Sequence, residues 1–115
     1  MGSSEEVLLL KQIESHDLLG NLIQQINKDA DLAGVSFICD KSISAKELVP
    51  KIYAFLFQLI TTDFGAYLNF LYRVDIPERV LKSIPEIEPE LIAKKVTFMV
   101  LQREWQKVWF RNKNQ

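Results

Sequence analysis

Apolar residues recur at spacings of three and four along most of the chain, which is the pattern of helices with one buried face. The first such stretch runs from about Ser4 to Lys28 and predicts a single long helix. Ser3 or Ser4 can cap this helix, and the acidic residues that follow suit its first turn. Gly20 lowers helix stability by about 1 kcal/mol relative to alanine, so we expect a bend or a close helix contact in the middle.

A capping box marks the start of the next helix. Ser44 and Glu47 have the spacing at which each side chain accepts a hydrogen bond from the backbone N–H of the other residue. Pro50 lies in the second turn and lacks a backbone donor, so we expect the helix either to bend there or to begin again. From Pro50 to Thr62 the apolar positions cover most of the helix circumference, which predicts a central helix packed on several sides.

Another apolar helix is predicted from Phe64 to Val74, with Asp63 or one of the two threonines before it as the cap. Seven of the twelve aromatic residues lie between Tyr53 and Tyr72, and aromatic side chains bury the largest areas. We therefore expect these two helices to form the centre of the core. The side chains expected to be buried together are Leu56, Leu59, Leu68 and Leu71.

Residues 29–43, before the capping box, have no clear helical pattern. Gly34 interrupts helix formation, and the residues after it are typical of extended backbone. A structureless connection of this length is unusual inside a compact domain. We therefore expect Phe37 and Ile38 to pack against the helices.

The rest of the chain predicts two more helices. Asp75 and Glu78, with Pro77 between them, have the pattern of a helix start, and Pro85 keeps this helix short. A last helix is predicted from Pro89 to about Arg111. The fold class is therefore all-α, an irregular bundle of four main helices plus one short helix, in a single domain of residues 1–115.

Composition supports a folded chain and restricts its partners. The 115 residues are 48 % hydrophobic and 25 % charged, as in a packed domain. The formal net charge is −1, so no overall positive field attracts nucleic acid or anionic lipid. The charge is uneven, since residues 1–40 carry seven acidic and two basic residues, and residues 93–115 carry six basic and one acidic residue. This asymmetry favours an oriented contact with a partner or with a second copy of the chain.

The sequence favours a cytoplasmic protein. Cys39 is the only cysteine, so no internal disulfide forms and nothing favours an oxidising compartment. The N-terminus lacks the pattern of a signal peptide. The longest uncharged run, residues 52–62, and the run of residues 64–72 that follows it are both shorter than the roughly 18 to 20 residues that span a bilayer. We therefore expect no membrane partner.

No group of residues in the sequence is typical of catalysis or of cofactor binding. His16 is the only histidine, and a catalytic triad or a histidine-rich metal site needs partners that the chain lacks. A pair of Cys39 and His16 has no flanking signature of a nucleophilic enzyme. The four glycines are isolated, so there is no glycine-rich phosphate loop. We expect no enzymatic activity, no cofactor and no metal ion.

The last predicted helix has the most unusual pattern. Its apolar residues repeat as a heptad-like seam and extend onto an adjoining face, and such a helix needs more than one neighbour. In a chain of this size, one neighbour can be a second subunit. Aromatic residues flanked by arginine are frequent interface anchors. The candidate interface residues are Phe98, Leu101, Trp105, Val108 and Trp109.

The leading hypothesis is a non-enzymatic helical protein-interaction module that forms a homodimer or binds a partner protein. A competing possibility keeps both tryptophans inside the chain, packed on the first helix, whose acidic region complements the basic C-terminal end. The alternative function is a small nucleic-acid-binding protein, in which bases and aromatics of the last helix contact phosphates and nucleobases. The overall charge argues against it. Its candidate contacts are Arg103, Lys107, Arg111 and Lys113.

Overall fold

The structure is a computed structural model that describes residues 4–113, and this range is helical without strands. The six helices are α1 (Ser4–Ser15), α2 (Leu19–Leu32), α3 (Ala45–Thr62), α4 (Phe64–Val74), α5 (Glu78–Lys82) and α6 (Pro89–Lys113). The predicted all-α fold class is confirmed. The number of long helices is five rather than four, because the first predicted helix is divided into α1 and α2. The possible cap Ser3 lies outside the described residues.

The break between α1 and α2 is explained by side chains that compete for one backbone carbonyl. The Gln12 carbonyl oxygen accepts from Ser15 Oγ at 2.9 Å and lies 2.7 Å from His16 Nδ1. The His16 backbone N–H bonds to the Ile13 carbonyl at 3.4 Å instead, so the regular helical bonding stops there. Neither the bend nor the close helix contact expected at Gly20 is present, since Gly20 lies within the first turn of α2 and no atom crowds the position of its missing Cβ.

The predicted capping box is confirmed at the start of α3. Glu47 Oε1 accepts from the Ser44 backbone N–H at 3.0 Å, and Ser44 Oγ accepts from the Glu47 backbone N–H at 3.2 Å. The side chains of Ser44 and Glu47 therefore satisfy backbone amides that would otherwise be unpaired at the start of α3. α3 then runs as one helix through Pro50.

Removing this cap is expected to destabilise the protein measurably. Ser44→Ala leaves the Glu47 backbone N–H without its acceptor, and we expect the free energy of unfolding to fall by about 1 kcal/mol. Urea unfolding followed by circular dichroism measures this difference. Ser36→Ala, at an exposed loop serine, is the matched control and should stay within about 0.5 kcal/mol of the parent chain. Equal values for the two variants would contradict a stabilising role of the cap.

α4 has the bounds that the sequence predicts, and its two ends are capped differently. At the start, Asp63 Oδ1 accepts from the Ala66 backbone N–H at 3.1 Å. At the end, Asp75 adopts a left-handed conformation with φ 77°, and its N–H bonds to the Leu71 carbonyl. Asp75 therefore ends α4. The prediction that Asp75 caps the following helix is wrong, because Pro77 occupies that position before α5.

The core is built from one face of each longer helix, with α3 and α6 in the most extensive contact. Leu56, Leu59 and Leu71 are buried as predicted, whereas Leu68 is 43 % exposed. Phe70 is fully buried instead, with its ring edge-on to Phe55 at 5.0 Å. α4 is apolar on more faces than its neighbours cover, so the sequence pattern does not identify the inner face.

The connection between α2 and α3 meets the expectation only in part. Phe37 is buried and lies edge-on to Phe55 at 5.2 Å, but Ile38 is 87 % exposed. Only Phe37 of the two neighbours therefore reaches the core. Within residues 4–113, no helix has both the length and the apolar composition needed to cross a membrane.

Candidate functional site

The C-terminal aromatic residues lie against the junction of α1 and α2. Trp105 is 3 % exposed and Val108 is fully buried. The His16 ring lies 4.6 Å from the Trp109 ring, edge-on, and 5.8 Å from the Trp105 ring. The chain itself therefore covers Trp105 and Val108, which corrects their assignment to an interface, and Trp109 is half-buried beside them.

The other two candidate interface residues border an apolar groove between α1, α3 and α6. The groove has a volume of about 860 Å³, within the range of cavities that accept drug-sized ligands. Its apolar lining consists of Val7 and Leu10 on α1, Val49 and Tyr53 on α3, and Leu91, Phe98 and Leu101 on α6. The structure thus brings Phe98 and Leu101 together with residues of two other helices.

The floor and the rim of this groove differ in polarity. Thr97 lies on the floor, is buried, and donates its hydroxyl proton to the Ala93 carbonyl at 2.6 Å. The rim carries Lys46, Glu90 and Lys94, all of them exposed. The groove therefore offers an apolar interior surrounded by charges of both signs.

The basic residues proposed as nucleic-acid contacts mostly hold helices together. Arg103 Nη2 donates to Asp75 Oδ2 at 2.7 Å, and Arg111 Nη2 donates to Gln25 Oε1 at 2.7 Å. Lys107 donates to Asp29 on α2, as described next, and Lys113 is exposed at the end of α6. Three of the four side chains therefore already have partners within the chain, which weakens the nucleic-acid alternative.

A buried ionic cluster joins α2 to the C-terminal half of α6. We define the ionic cluster as Gln25, Asp29, Glu104, Lys107 and Arg111. Lys107 Nζ donates to Asp29 Oδ2 at 2.6 Å, and Gln25 Nε2 donates to the same oxygen at 3.2 Å. Lys107 Nζ also lies 2.6 Å from Glu104 Oε1. Glu104 is fully buried, and neither of its carboxyl oxygens has a well-aligned hydrogen bond.

The two carboxyl groups of the ionic cluster differ in protonation. Burial raises the pKa of Glu104 to about 9, the adjacent Asp29 raises it as well, and Lys107 opposes both. Burial also favours the neutral form of Asp29, but contacts with Glu104, Lys107 and Gln25 outweigh it and lower the pKa of Asp29. At neutral pH the ionic cluster therefore contains a neutral Glu104, an ionised Asp29 and a charged Lys107.

Sequence reasoning missed the ionic cluster, although a signal for it exists. Glu104 lies three residues after Leu101 and four before Val108, so it occupies the same helix face as the apolar seam. An acidic residue at such a position indicates a buried partner. The partner on α2 lies far away along the chain, so only the tertiary structure identifies Asp29.

His16 and Cys39 are the two remaining candidates for chemistry, and the structure places each of them in contact with other parts of the fold. The His16 ring is held by the Gln12 carbonyl and the tryptophans, as described above. Cys39 is half-buried in the connection after α2, where burial raises the pKa of its thiol. Residues 4–113 contain no group of three His, Cys, Asp or Glu side chains placed to hold a metal ion.

No family model, curated protein or solved structure matches the chain.

Proposed function

We propose that the protein is a non-enzymatic, cytoplasmic helical interaction module that forms a homodimer through the groove between α1, α3 and α6. The observation that supports this best is the groove itself, whose apolar walls include Val7 at 44 % exposure and Leu91 at 45 % exposure. Contiguous apolar surface that a chain leaves uncovered is typical of protein association sites.

The chemistry of the groove favours an occupant with apolar side chains. The Thr97 hydroxyl on the floor already donates to the Ala93 carbonyl, so its proton is not available to a polar ligand. The volume of about 860 Å³ leaves room for several side chains. An occupant of this groove therefore contributes apolar surface inside and charged groups at the edge.

The charges on the rim favour a second copy as that occupant. In a two-fold dimer the same patch meets itself, so a rim of one sign would place like charges opposite each other. Lys46 and Lys94 share this rim with Glu90, so a lysine of one copy can face Glu90 of the other. Val7 on α1 and Leu91 on α6 belong to two different walls of the groove. If the two copies are offset along the groove, one wall of each copy fits into the groove of the other.

The proposed dimer retains part of the interface that the sequence predicts. Phe98 and Leu101 line the groove and stay in the proposed interface. Trp105 and Val108 leave it because their own chain buries them. Trp109 packs beside His16 and is not among the groove residues.

Sedimentation equilibrium tests the proposed dimer. Between about 1 and 100 µM, the apparent mass of the parent chain should rise from 13.3 kDa towards twice that value. Val7→Lys places a flexible ammonium group on an apolar wall, and we expect it to weaken dimerisation about tenfold or more. Val7 is already nearly half exposed, so the monomer should fold normally.

The neighbouring Leu8 provides the matched control. Leu8 is 64 % exposed and does not line the groove, so Leu8→Lys should change the dimer dissociation constant by less than about threefold. A parent mass that stays near 13.3 kDa at every concentration would contradict the homodimer. Equal weakening by both variants would contradict the groove as the interface. A monomer that binds an apolar dye, with binding lost in Val7→Lys, would assign the groove to a small ligand instead.

A further inference from the structure

The C-terminal half of α6, residues 102–113, is held to the rest of the chain by the buried side chains of Trp105 and Val108 and by polar contacts around Lys107. Its ammonium group donates to Asp29 on α2 and lies within 3.4 Å of the Arg73 carbonyl and 3.3 Å of the Val74 carbonyl at the end of α4. One side chain of α6 therefore joins three helices. Arg111 adds a contact to Gln25 on α2.

The charge count of this junction depends on a single proton. Two carboxyl groups, Asp29 and Glu104, enclose one ammonium group, Lys107. α4 contributes only its backbone carbonyls there, and Arg111 reaches the neutral Gln25 rather than a carboxylate. Among Asp29, Glu104 and Lys107 the charges balance when one carboxyl group carries a proton, and one negative charge is in excess when both are ionised. Arg111 adds a positive charge that faces Gln25.

Glu104 is the group that holds this proton in the folded chain. It is fully buried, and its two oxygens have no well-aligned donor, whereas Asp29 receives donors from Gln25 and Lys107. An ionised Glu104 would have Lys107 as its close cation only by sharing it with Asp29, and burial disfavours this carboxylate relative to the neutral acid. The proton therefore resides on Glu104, and Asp29 is the ionised partner of Lys107.

We propose that the Glu104 carboxyl group is a proton-controlled latch for the C-terminal half of α6. With the proton bound, this half of α6 docks on α2 and on the end of α4. When the proton leaves Glu104 for solvent, two buried carboxylates face one ammonium group, and the half-helix separates so that Glu104 reaches water. Separation also exposes Trp105 and Val108, the apolar side chains that this half buries.

The direction of the pH dependence follows from Glu104. Burial raises its pKa from 4.5 to about 9 in the folded chain, so between these values the folded state holds a proton that the unfolded state has released. The closed state therefore loses stability progressively as pH rises from 4.5 to about 9, and we expect the latch to be closed in acid and at neutral pH and open above about 9. Asp29, with its lowered pKa, stays ionised throughout this range and contributes no transition there.

The two tryptophans provide the readout, because both lie in this half of α6 and the chain has no others. We expect the tryptophan emission of the full chain to shift to longer wavelength in a one-proton transition between about pH 7.5 and 10. Glu104→Gln keeps the size of the side chain and removes the titration, so its emission should not change over the same range. Far-ultraviolet circular dichroism should retain most of its helical signal, since only one half-helix separates.

Three further variants complete the experiment. Asp29→Asn removes the neighbouring carboxylate that raises the pKa of Glu104, so the transition should move to lower pH, and this variant tests the latch even if Glu104→Gln folds poorly. Glu90→Gln, at an exposed glutamate on the same helix, should keep the parent transition. His16→Gln removes an imidazole that lies against both tryptophans, and the alkaline transition should persist in it.

Two results would overturn the latch. One is a parent emission that stays constant up to about pH 10, or a transition that survives unchanged in Glu104→Gln. The other is a transition in which the helical signal collapses together with the tryptophan shift, because this would show unfolding of the whole chain instead of release of one half-helix.

Discussion

Replacing Phe70 with alanine is expected to lower the free energy of unfolding by about 3 to 5 kcal/mol. Phe70 is fully buried on α4, and its ring lies edge-on to Phe55 at 5.0 Å, which in turn contacts Phe37 at 5.2 Å. Alanine removes the buried apolar area, leaves a cavity that the surrounding helices fill only in part, and ends the aromatic contact. Urea unfolding followed by circular dichroism measures the difference.

Leu68→Ala is the matched control for this prediction. Leu68 lies two residues earlier on the same helix, and its side chain is 43 % exposed, so we expect a loss of less than about 1.5 kcal/mol. The sequence pattern alone places Leu68 in the core and predicts a larger loss there. Equal losses for the two variants, or a smaller loss for Phe70→Ala, would contradict the orientation of α4.

Replacing Lys107 with methionine is expected to lower the free energy of unfolding by about 3 to 5 kcal/mol at neutral pH. Methionine keeps an apolar stem of similar length but removes the ammonium group that lies 2.6 Å from Asp29 Oδ2. The Asp29 side chain is only 6 % exposed, so its carboxylate is left in a buried place without a countercharge. Thermal and urea unfolding at neutral pH check this loss.

The pH dependence of this loss has a defined sign. The pKa of Asp29 is lowered in the folded parent chain, so Asp29 contributes stability that is complete above its ordinary value of 3.8 and is lost as pH falls through the folded value. Lys107→Met removes that contribution. The difference between the variant and the parent chain should therefore shrink in acid, where Asp29 is protonated in both.

Lys82→Met is the control for the loss of a lysine charge as such. Lys82 pairs with Glu78 at 3.3 Å, but the two side chains are 75 % and 78 % exposed. Exposed ion pairs contribute little, and we expect a change within about 0.5 kcal/mol. A loss for Lys107→Met as small as this would show that the ionic cluster does not stabilise the fold.

Local signals in the sequence identify several elements correctly because their causes are local. The capping box needs only Ser44 and Glu47, three residues apart, and α3 begins directly after Ser44. α4 starts after Asp63, whose carboxylate caps it, and α6 starts at Pro89 as expected. Such signals act within one helical turn, so the surrounding fold does not override them.

The sequence pattern does not predict the break at His16, and it predicts the wrong buried residue on α4. The two errors have different reasons. At His16, side chains compete with the backbone for the Gln12 carbonyl, and apolar periodicity is insensitive to this competition. On α4, Leu68 and Phe70 are both apolar, and only the positions of α2, α3 and α6 decide that Phe70 is the buried one. Periodicity measures how apolar a face is, and packing selects which apolar face is covered.

For the candidate interface residues on the last helix, too, the sequence determines one part of the answer and packing decides the other. The apolar seam on the last helix predicts that Phe98, Leu101, Trp105 and Val108 lie on a face that must be covered, and the sequence alone determines this together with the all-α fold class. Only the tertiary structure decides which neighbours cover each part of the seam. Near its C-terminal end the neighbours are the α1–α2 junction and the core, and near Phe98 and Leu101 the cover is incomplete, which leaves the groove. The reason is physical: burial of apolar area has no direction, whereas the contact between Lys107 and Asp29, distant along the chain, exists only once the helices are packed.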